Sequence, residues 1–342
     1  MKAFTKFGSK PGEAALRDVP VPEPGPGEVL LEVAACGVCG SDLHAYRSDP
    51  GYEWVKPPTV LGHEFVGTVK SAGEGVEDIE AGDRVAVVAI QGCGLCETCL
   101  LGSTHLCPQR RVIGLSYDGG MSENVVVAAR HLVRVPEEMD LTLAALAEPL
   151  SVAVHAVLER ASIRPGDTVV VTGPGPIGLM CGALARLSGG QVLVVGTGPD
   201  SAVRLPAAER LGLLTANLAD APLQEHLSEA FGRLHPDAWV EASGAVQALE
   251  SALASVRPGG TITVVGMFSE HLSFFPTDAV RSELGLLFSY ASNYPDYRTA
   301  LDLLARADVD WASLIRPYPL EEAPRAFKAA QSGGVVKPLL VP

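Results

Sequence analysis

Basic residues are scarce in this chain of 342 residues. It has 26 Lys and Arg against 40 Asp and Glu, which gives a formal net charge of −14 at pH 7. So acidic a surface is unsuited to holding phosphate backbones or anionic lipids, which excludes nucleic acids and membranes as the main partners. We expect a small-molecule partner instead.

Long apolar runs are equally absent. No stretch approaches the roughly 18 apolar residues that cross a bilayer, and residues 1–7 lack the basic start and apolar run of a signal peptide. The sequence therefore predicts a cytoplasmic protein. Its hydrophobic content of 47% is ample for two domains of about 150 residues each.

Seven cysteines stand out against this background, and four of them form one cluster. The spacing Cys93-x2-Cys96-x2-Cys99-x7-Cys107 suits tetrahedral zinc, and four thiolates would leave no position open for a substrate. We predict a structural zinc that stabilises a loop without a core of its own. Redox-active thiols are the alternative interpretation.

The chain changes its pattern near residue 141. Before that point, short β-rich runs such as 29–35, 84–88 and 121–127 are separated by Gly and Pro, which is typical of an irregular antiparallel domain. After it, apolar strands alternate with helical stretches, which predicts a doubly wound parallel sheet of the α/β class. The alternation stops near residue 287, so we expect the tail to return to the first domain.

A glycine-rich loop follows the first strand of the α/β region. Strand 168–172 runs into the sequence GPGPIG and then into a helix. In that context, glycines let the backbone approach a dinucleotide pyrophosphate at the helix N-terminus. The predicted cofactor-binding residues of this loop are Gly173, Gly175, Pro176, Ile177 and Gly178.

The second strand of this region, 192–195, bears on the choice between NAD and NADP. An NAD site usually has a carboxylate at the tip of this strand, but here small residues and Thr197 follow it, and Asp200 comes later. Arg204 is close enough in sequence to bind a 2′-phosphate, so NADP stays open beside NAD, with Thr197 and Arg204 as candidate cofactor-binding residues. Asp200 could reach the ribose, but we favour it as the cap of a helix that begins at Ser201.

A third set of residues could hold a second zinc. Cys39 lies in the segment CGVCGSDLH, His63 and Glu64 lie in GHE, and Glu148 lies in ALAEPL. A thiolate, an imidazole and one or two carboxylates can bind zinc with a position left open for an alcohol. Each residue alone is more often structural, but together with the cysteine cluster and the glycine loop they indicate a metal-dependent dehydrogenase.

These motifs resemble those of the zinc-containing medium-chain alcohol dehydrogenase family, nearer its sorbitol and threonine dehydrogenase branch, over nearly the whole chain. The resemblance implies a GroES-like catalytic domain of residues 1–145 and 288–342, with a Rossmann domain of residues 146–287 inserted into it and the active site in the cleft. It also implies a homo-oligomer, dimer or tetramer, with one catalytic and one structural zinc per subunit. The implied reaction is hydride transfer between a secondary alcohol or polyol and NAD or NADP.

The resemblance further implies the ligands of the catalytic zinc. Cys39 and His63 would bind the metal, with Glu64 and Glu148 as carboxylate ligands, directly or through water. Alcohol dehydrogenase is itself a common example of a catalytic zinc held by two Cys and one His, so the carboxylate at position 148 is the pattern of the polyol branch.

A proton path is implied in the same way. Ser41 would hydrogen-bond the substrate hydroxyl, and His44 would pass its proton towards solvent. Asp42 would orient the ring of His63.

The segment Phe288-Ser289-Tyr290 bears on the substrate. Sorbitol-type relatives have an Arg-Tyr pair here, whereas this chain keeps Tyr290 and has Ser289 in place of the arginine. A simpler secondary alcohol, a diol or a threonine-type amino alcohol therefore stays open as the substrate. Two other functions are a zinc-loop nucleic-acid binder, which the acidic charge disfavours, and a zinc-stabilised non-catalytic relative, which would be expected to have lost the catalytic ligands.

Overall fold

The structure, a computed structural model, describes residues 1–306 and 308–342. Its strands are β1 Lys2–Lys6, β2 Ala14–Asp18, β3 Glu28–Gly37, β4 Thr59–Val60, β5 Glu64–Ala72, β6 Arg84–Val87, β7 Ile90–Gln91, β8 Arg111–Val112, β9 Asn124–Ala128, β10 Leu132–Arg134, β11 Thr168–Thr172, β12 Gln191–Gly196, β13 Leu214–Asn217, β14 Ala238–Glu241, β15 Thr261–Val264, β16 Gly285–Phe288, β17 Ile315–Pro319 and β18 Lys337–Val341. Its α-helices are α1 Gly40–Arg47, α2 Glu97–Leu100, α3 Leu141–Ala144, α4 Ala147–Val154, α5 Pro176–Leu187, α6 Arg204–Arg210, α7 Leu223–Phe231, α8 Val246–Ser255, α9 Pro276–Arg281, α10 Tyr294–Leu304 and α11 Ala323–Gln331. None of the helices in these ranges combines the length and the apolar character that crossing a membrane requires.

The chain divides into two compact units. The first unit comprises Met1–Ser151, Ser292–Ala307 and Ile315–Pro342, and the second comprises Val152–Ala291 and Asp308–Leu314. The tail after β16 thus joins the unit that the start of the chain forms.

The first unit is built around a mostly antiparallel sheet. Its strand order is β10-β6-β5-β3-β18-β17, and β9 also pairs with β3. Apolar side chains alternate along β3, so that Val29, Leu31 and Val33 are buried on one face. Two register shifts between β3 and β5 bend the strand, as β-bulges do. The core includes Phe4 and Phe327, whose ring centroids are 5.1 Å apart.

The second unit is a six-stranded sheet in which every pairing is parallel, with the strand order β13-β12-β11-β14-β15-β16. This is the order of a Rossmann fold and confirms the predicted doubly wound sheet. All five residues of β11 are buried, because helices cover both faces of such sheets. The strand order reverses between β11 and β14, and ligands of open α/β sheets bind at the carboxyl ends of the strands at this reversal.

Two details differ from the sequence-based expectation. The strand expected over residues 121–127 begins only at Asn124, because the backbone of residues 119–121 hydrogen-bonds to the segment of residues 60–62 instead. The helix expected to begin at Ser201 begins at Arg204, because a separate short turn occupies Gly198–Asp200.

Candidate metal and cofactor sites

Helix α1 positions the first candidate ligand at its N-terminus. Cys39 is the residue that precedes the helix, and its backbone N–H donates to Asp42 Oδ2 at 2.9 Å. This bond closes the first turn and fixes the backbone from which the Cys39 thiol extends. The positive end of the helix dipole favours a negatively charged ligand atom there.

His63 is enclosed by polar groups from the same helix. Its Nδ1 lies 3.4 Å from Oδ1 of the fully buried Asp42, and its Nε2 lies 3.3 Å from Ser41 Oγ. Burial by itself lowers the pKa of His63, but the negative charges of Asp42 and Cys39 outweigh it and raise the pKa well above its ordinary value. The negative charges of Asp42 and Cys39 thus surround a buried imidazole, and a divalent cation bound there would neutralise them.

Glu64 completes a cluster of potential metal ligands. The ligand atoms of Cys39, His63 and Glu64 all lie within 4.8 Å of one another. Both oxygens of Glu64 also accept hydrogen bonds from Lys337 Nζ, at 2.7 and 2.6 Å, and the two side chains are nearly inaccessible to solvent. Burial alone would lower the pKa of Lys337, but the negative charge of Glu64 has the larger effect and raises this pKa above its usual value. Glu64 is thus next to the other ligands, with its charge already paired.

Glu148 lies at the start of helix α4 and belongs to the same group of charges. Burial raises its pKa to about 7, against the opposing effect of the positive charge on His63. It lies outside the set of ligand atoms within 4.8 Å of one another. Ser151 Oγ donates to Glu148 O at 2.6 Å and accepts from Ser292 Oγ at 2.7 Å, so a buried hydrogen-bond network holds the helix turn that carries Glu148.

His44 lies at the opposite end of α1 from Cys39, with its side chain 42% exposed. Its Nδ1 donates to Asp49 Oδ2 at 2.7 Å, and its ring stacks on Tyr52 at a centroid distance of 5.0 Å. Asp49 also accepts from Arg47 Nε and Nη2 at 2.9 and 2.7 Å, and this bond is the first cause of the lowered pKa of Asp49. His44 is therefore held in one orientation while it stays accessible to solvent.

The four-cysteine cluster is also formed in the structure. The four sulfur atoms lie within 4.8 Å of one another, with 4.0 Å between Cys93 and Cys99 and 3.8 Å between Cys96 and Cys107. A tetrahedral zinc with Zn–S bonds of about 2.3 Å requires sulfur separations of about 3.8 Å. Backbone N–H groups of Leu95 and Cys96 lower the pKa of Cys93 to about 6. The geometry and the stabilised thiolate both fit a closed zinc site.

The glycine loop after β11 has the conformation that a dinucleotide requires. Gly173 has a φ of +88°, and a Cβ on it would lie 2.7 Å from Ser243 Cα. A Cβ on Gly178 would lie 1.9 Å from Gly173 O, whereas a Cβ on Gly175 would meet nothing within 4 Å. The first and third glycines are thus needed for close packing, and the second faces open space at the N-terminus of α5, where a pyrophosphate fits.

The turn after β12 uses the carboxylate of Asp200 internally. Asp200 Oδ2 accepts from Thr197 N and Thr197 Oγ1 at 3.0 and 3.1 Å, and its Oδ1 accepts from Arg204 Nη1 at 3.1 Å. Asp200 therefore does cap a turn, but the turn is Gly198–Asp200 and not a helix beginning at Ser201. Arg204 is the first residue of α6 and is held beside the tip of the strand.

The residues after β16 differ in their exposure. Ser289 is 8% exposed, and its Oγ has no hydrogen-bond partner among the residues that the structure describes. Tyr290 is 37% exposed. Position 289 is thus occupied by a small, enclosed hydroxyl.

Lys337 and Asp49 were not predicted from the sequence. Lys337 is the first residue of an otherwise apolar terminal strand, and a lysine in such a strand is a signal for a buried ion pair. Asp49 has no comparable signal, since acidic residues in loops are common.

The chain is similar in sequence and in structure to known dehydrogenases. Residues 25–137 match the alcohol dehydrogenase GroES-like domain, and residues 176–306 match the zinc-binding dehydrogenase domain. A sorbitol dehydrogenase of Halalkalibacterium halodurans is 35% identical, over 100% of this chain and 99% of its own. An L-threonine 3-dehydrogenase of Streptomyces avermitilis is 36% identical, over 97% of each chain. A structure from Sinorhizobium meliloti 1021, bound to NADP, has a TM-score of 0.91 and 32% identity, over 100% of this chain and 99% of its own.

The chain therefore belongs to the zinc-containing medium-chain alcohol dehydrogenase family, as its motifs predicted. It is an enzyme that depends on zinc and transfers a hydride between an alcohol or polyol and NAD(P). The GroES-like and Rossmann folds predicted for it are likewise confirmed.

Proposed function

We propose that Cys39, His63 and Glu148 bind the catalytic zinc, and that Glu64 remains paired with Lys337 beside it. The observation that carries this proposal is that the ligand atoms of Cys39 and His63 lie within 4.8 Å of each other, with Glu148 among the buried charges that interact with His63. Of the two carboxylates, Glu64 already has a cation at 2.6 Å. Glu148 has no ion pair among residues 1–306 and 308–342. Because burial disfavours its charged form, a bound cation would stabilise its carboxylate.

The residues around this site suit the oxidation of an alcohol. When bound, zinc supplies a Lewis acid that lowers the pKa of the substrate hydroxyl, and the dinucleotide accepts the hydride. Ser41 Oγ, close to His63 Nε2, would accept the hydroxyl proton. His44 would pass this proton to solvent, since its ring is both accessible and held by Asp49. Asp42 would keep the ring of His63 in place.

Replacing the proposed ligands tests this function. Cys39→Ala and His63→Ala should each lower kcat by at least about 10³-fold, because a lost Lewis acid removes several kcal/mol of stabilisation. Both variants should still fold and bind the dinucleotide, and their zinc content should fall from two ions per chain to one. Cys181→Ala, at a buried thiol in the second unit, is the control and should keep both ions. Normal turnover by either ligand variant would disprove the assignment.

We propose that Thr197 and Arg204 admit the 2′-phosphate of NADP, and that the substrate is a secondary alcohol or polyol. The carboxylate of Asp200 is occupied by Thr197 and Arg204, so it is not free to select the ribose hydroxyls of NAD. Position 289 carries an enclosed hydroxyl and no cation.

A panel of secondary alcohols and polyols, assayed with NAD and with NADP, tests both the proposed cofactor and the proposed substrate class. Arg204→Leu should raise KM for NADP by about tenfold or more, which corresponds to the loss of one charged hydrogen bond. KM for NAD should change by much less, since NAD has no 2′-phosphate. Equal effects on the two cofactors would show that Arg204 does not contact this phosphate.

We also propose that the chain forms a homo-oligomer through β16, the edge strand of the second unit. Phe288 on this strand is 63% exposed, and Phe275 and Val280, in the segment that precedes the strand, are 68% and 74% exposed. Exposed apolar edge strands are sites of pairing with another chain. A twofold axis would pair β16 of one copy antiparallel to β16 of the other.

We propose that the enzyme is cytoplasmic. All seven cysteines are free, and the thiolate sites of the two zinc ions depend on thiols that stay reduced. This state is typical of a reducing compartment.

A further inference from the structure

Glu148 has a helical backbone although a proline follows it directly. It lies in α4, and the ring of Pro149 disfavours the helical conformation for the residue before it. The favoured alternative is an extended backbone, which differs from the helix mainly in ψ. Rotation about ψ of Glu148 would turn its side chain relative to the rest of α4. The direction of this carboxylate therefore depends on contacts that keep the backbone of Glu148 helical.

The hydroxyl group of Ser151 makes such a contact. Ser151 lies one helical turn after Glu148, and its Oγ donates to Glu148 O at 2.6 Å. This bond fixes the direction of the carbonyl group and with it ψ of Glu148. Because Ser151 is inaccessible to solvent, water does not compete for its hydroxyl.

Ser292 fixes the hydroxyl of Ser151 in turn. The two Oγ atoms are 2.7 Å apart, and Ser292 is only 4% exposed. A hydroxyl has a single hydrogen to donate. Since Ser151 donates its own to Glu148 O, Ser292 is the donor of the bond between the two serines. Hydrogen bonds that follow one another in this way strengthen each other.

The segment that carries Ser292 is itself held firmly within the first unit. The next residue, Asn293, accepts a hydrogen bond at Oδ1 from Nδ1 of the buried His105, at 2.7 Å. One turn further on, the hydroxyl of the buried Tyr297 accepts from Ala89 N at 2.9 Å. Ser292 therefore donates to Ser151 from a backbone that is fixed on its other side.

We propose that Ser292 is a positioning residue for the catalytic zinc. Through Ser151 it holds the backbone of Glu148 in the conformation that directs the carboxylate towards the metal. Ser292 itself touches neither the metal nor the substrate. The proposal rests on the role of Glu148 as a zinc ligand proposed above. Groups that orient metal ligands typically contribute about 10- to 100-fold to metal affinity or activity.

The zinc affinity of Ser292→Ala tests the proposal. When the zinc-loaded enzyme is titrated with a chromophoric chelator, the release step that Cys39→Ala lacks identifies the catalytic ion. We expect the Kd of this ion to rise by at least about tenfold in Ser292→Ala, with no change for the ion of the cysteine cluster. With zinc in excess, kcat should be lower and KM for NADP unchanged.

Ser188→Ala is the matched control. Ser188 Oγ donates to a backbone carbonyl of helix α5, Leu184 O, at 2.9 Å, so the substitution removes the same kind of bond in the second unit. This variant should bind both zinc ions as tightly as the wild type.

A double variant shows whether Ser292 acts through Ser151. Ser151→Ala should weaken the binding of the catalytic ion at least as much as Ser292→Ala does. The variant with both substitutions should bind it as Ser151→Ala does, because Ser292 then has no hydroxyl to hold. Additive losses of affinity would show that Ser292 does not act through Ser151, and would overturn the proposal.

Glu148→Ala separates this proposal from the ligand assignment on which it rests. If Glu148→Ala keeps both zinc ions at wild-type affinity, the ligand assignment is wrong and the role of Ser292 is wrong with it. If Glu148→Ala loses the catalytic ion while Ser292→Ala binds it as tightly as the wild type, the ligand assignment holds and only the role of Ser292 is disproved.

Discussion

Lys337 is paired with Glu64, and in the ligand set that we propose this pairing leaves Glu148 to bind the metal. Glu64 and Glu148 are equivalent candidates in the sequence, because nothing in either segment reveals the partner of Glu64. That partner is 273 residues away along the chain, and only the pairing of β18 with β3 brings it to the site. The ligand types could therefore be predicted from residue chemistry, but the distinction between the two carboxylates could not.

His131 makes the stability of the enzyme depend on pH. Burial, and then the charge of Arg130, lower its pKa to about 4, whereas in the unfolded chain it is about 6.5. As the pH falls, His131 takes up a proton in the unfolded chain before it does so in the folded one, which favours the unfolded state. The free energy of unfolding is therefore unaffected by His131 above about pH 6.5 and decreases between about pH 6.5 and pH 4. The loss is at most about 3 kcal/mol. Urea titrations at about pH 7.5 and pH 5 should show a larger loss for the wild type than for His131→Phe; equal losses would contradict this prediction.

Elements with continuous apolar runs were predictable, and elements defined by long-range pairing were not. β11 has the bounds expected from the sequence, since it is a short apolar run between turn residues. β2 has no fully buried residue, so its side chains show no alternation of buried and exposed positions that would predict a strand. Its register is set by pairing with β1. The start of α6 was misplaced because the bonds between Thr197 and Asp200 stabilise a separate turn.

The loop between β7 and β8 is stabilised by its thiols and not by a core. Leu95, Leu100 and Leu101 are 84%, 75% and 76% exposed, so the loop buries little apolar surface. The sulfur atoms, at distances of 3.8 and 4.0 Å, supply the cross-link through a shared metal.

Cys96→Ala should therefore act on stability and not directly on the chemistry. Opening the closed site should reduce the zinc content from two ions per chain to one and lower the melting temperature by several degrees or more, since structural zinc contributes folding free energy. Metal analysis and a thermal melt check this, with Ser103→Ala in the same loop as the control. A melting temperature equal to that of the wild type would show that the loop does not depend on the metal.

At the scale of the whole molecule, the two edges of the Rossmann sheet differ in character. β16 ends in Phe288, which is 63% exposed, and the opposite edge, β13, begins with Leu214, which is 44% exposed. Phe275, just before α9, and Val280 in α9 are also exposed, at 68% and 74%. These exposed apolar side chains favour the β16 edge as the one that is covered in an oligomer.

Matched charges on the two edges test this assembly. Phe288→Glu should shift the enzyme to a smaller species in analytical ultracentrifugation, because like charges would face each other across the twofold axis. Leu214→Glu on β13 should leave the oligomer unchanged. If both variants sediment as the wild type does, the oligomer forms through another surface.

The buried pair of Lys337 and Glu64 also has a consequence for biosynthesis. Glu64 is translated 273 residues before its counter-ion Lys337. Until β18 has been synthesised and has paired with β3, the pocket contains the carboxyl group of Glu64 without the lysine. The pocket can therefore reach its final charge balance only late in the synthesis of the chain.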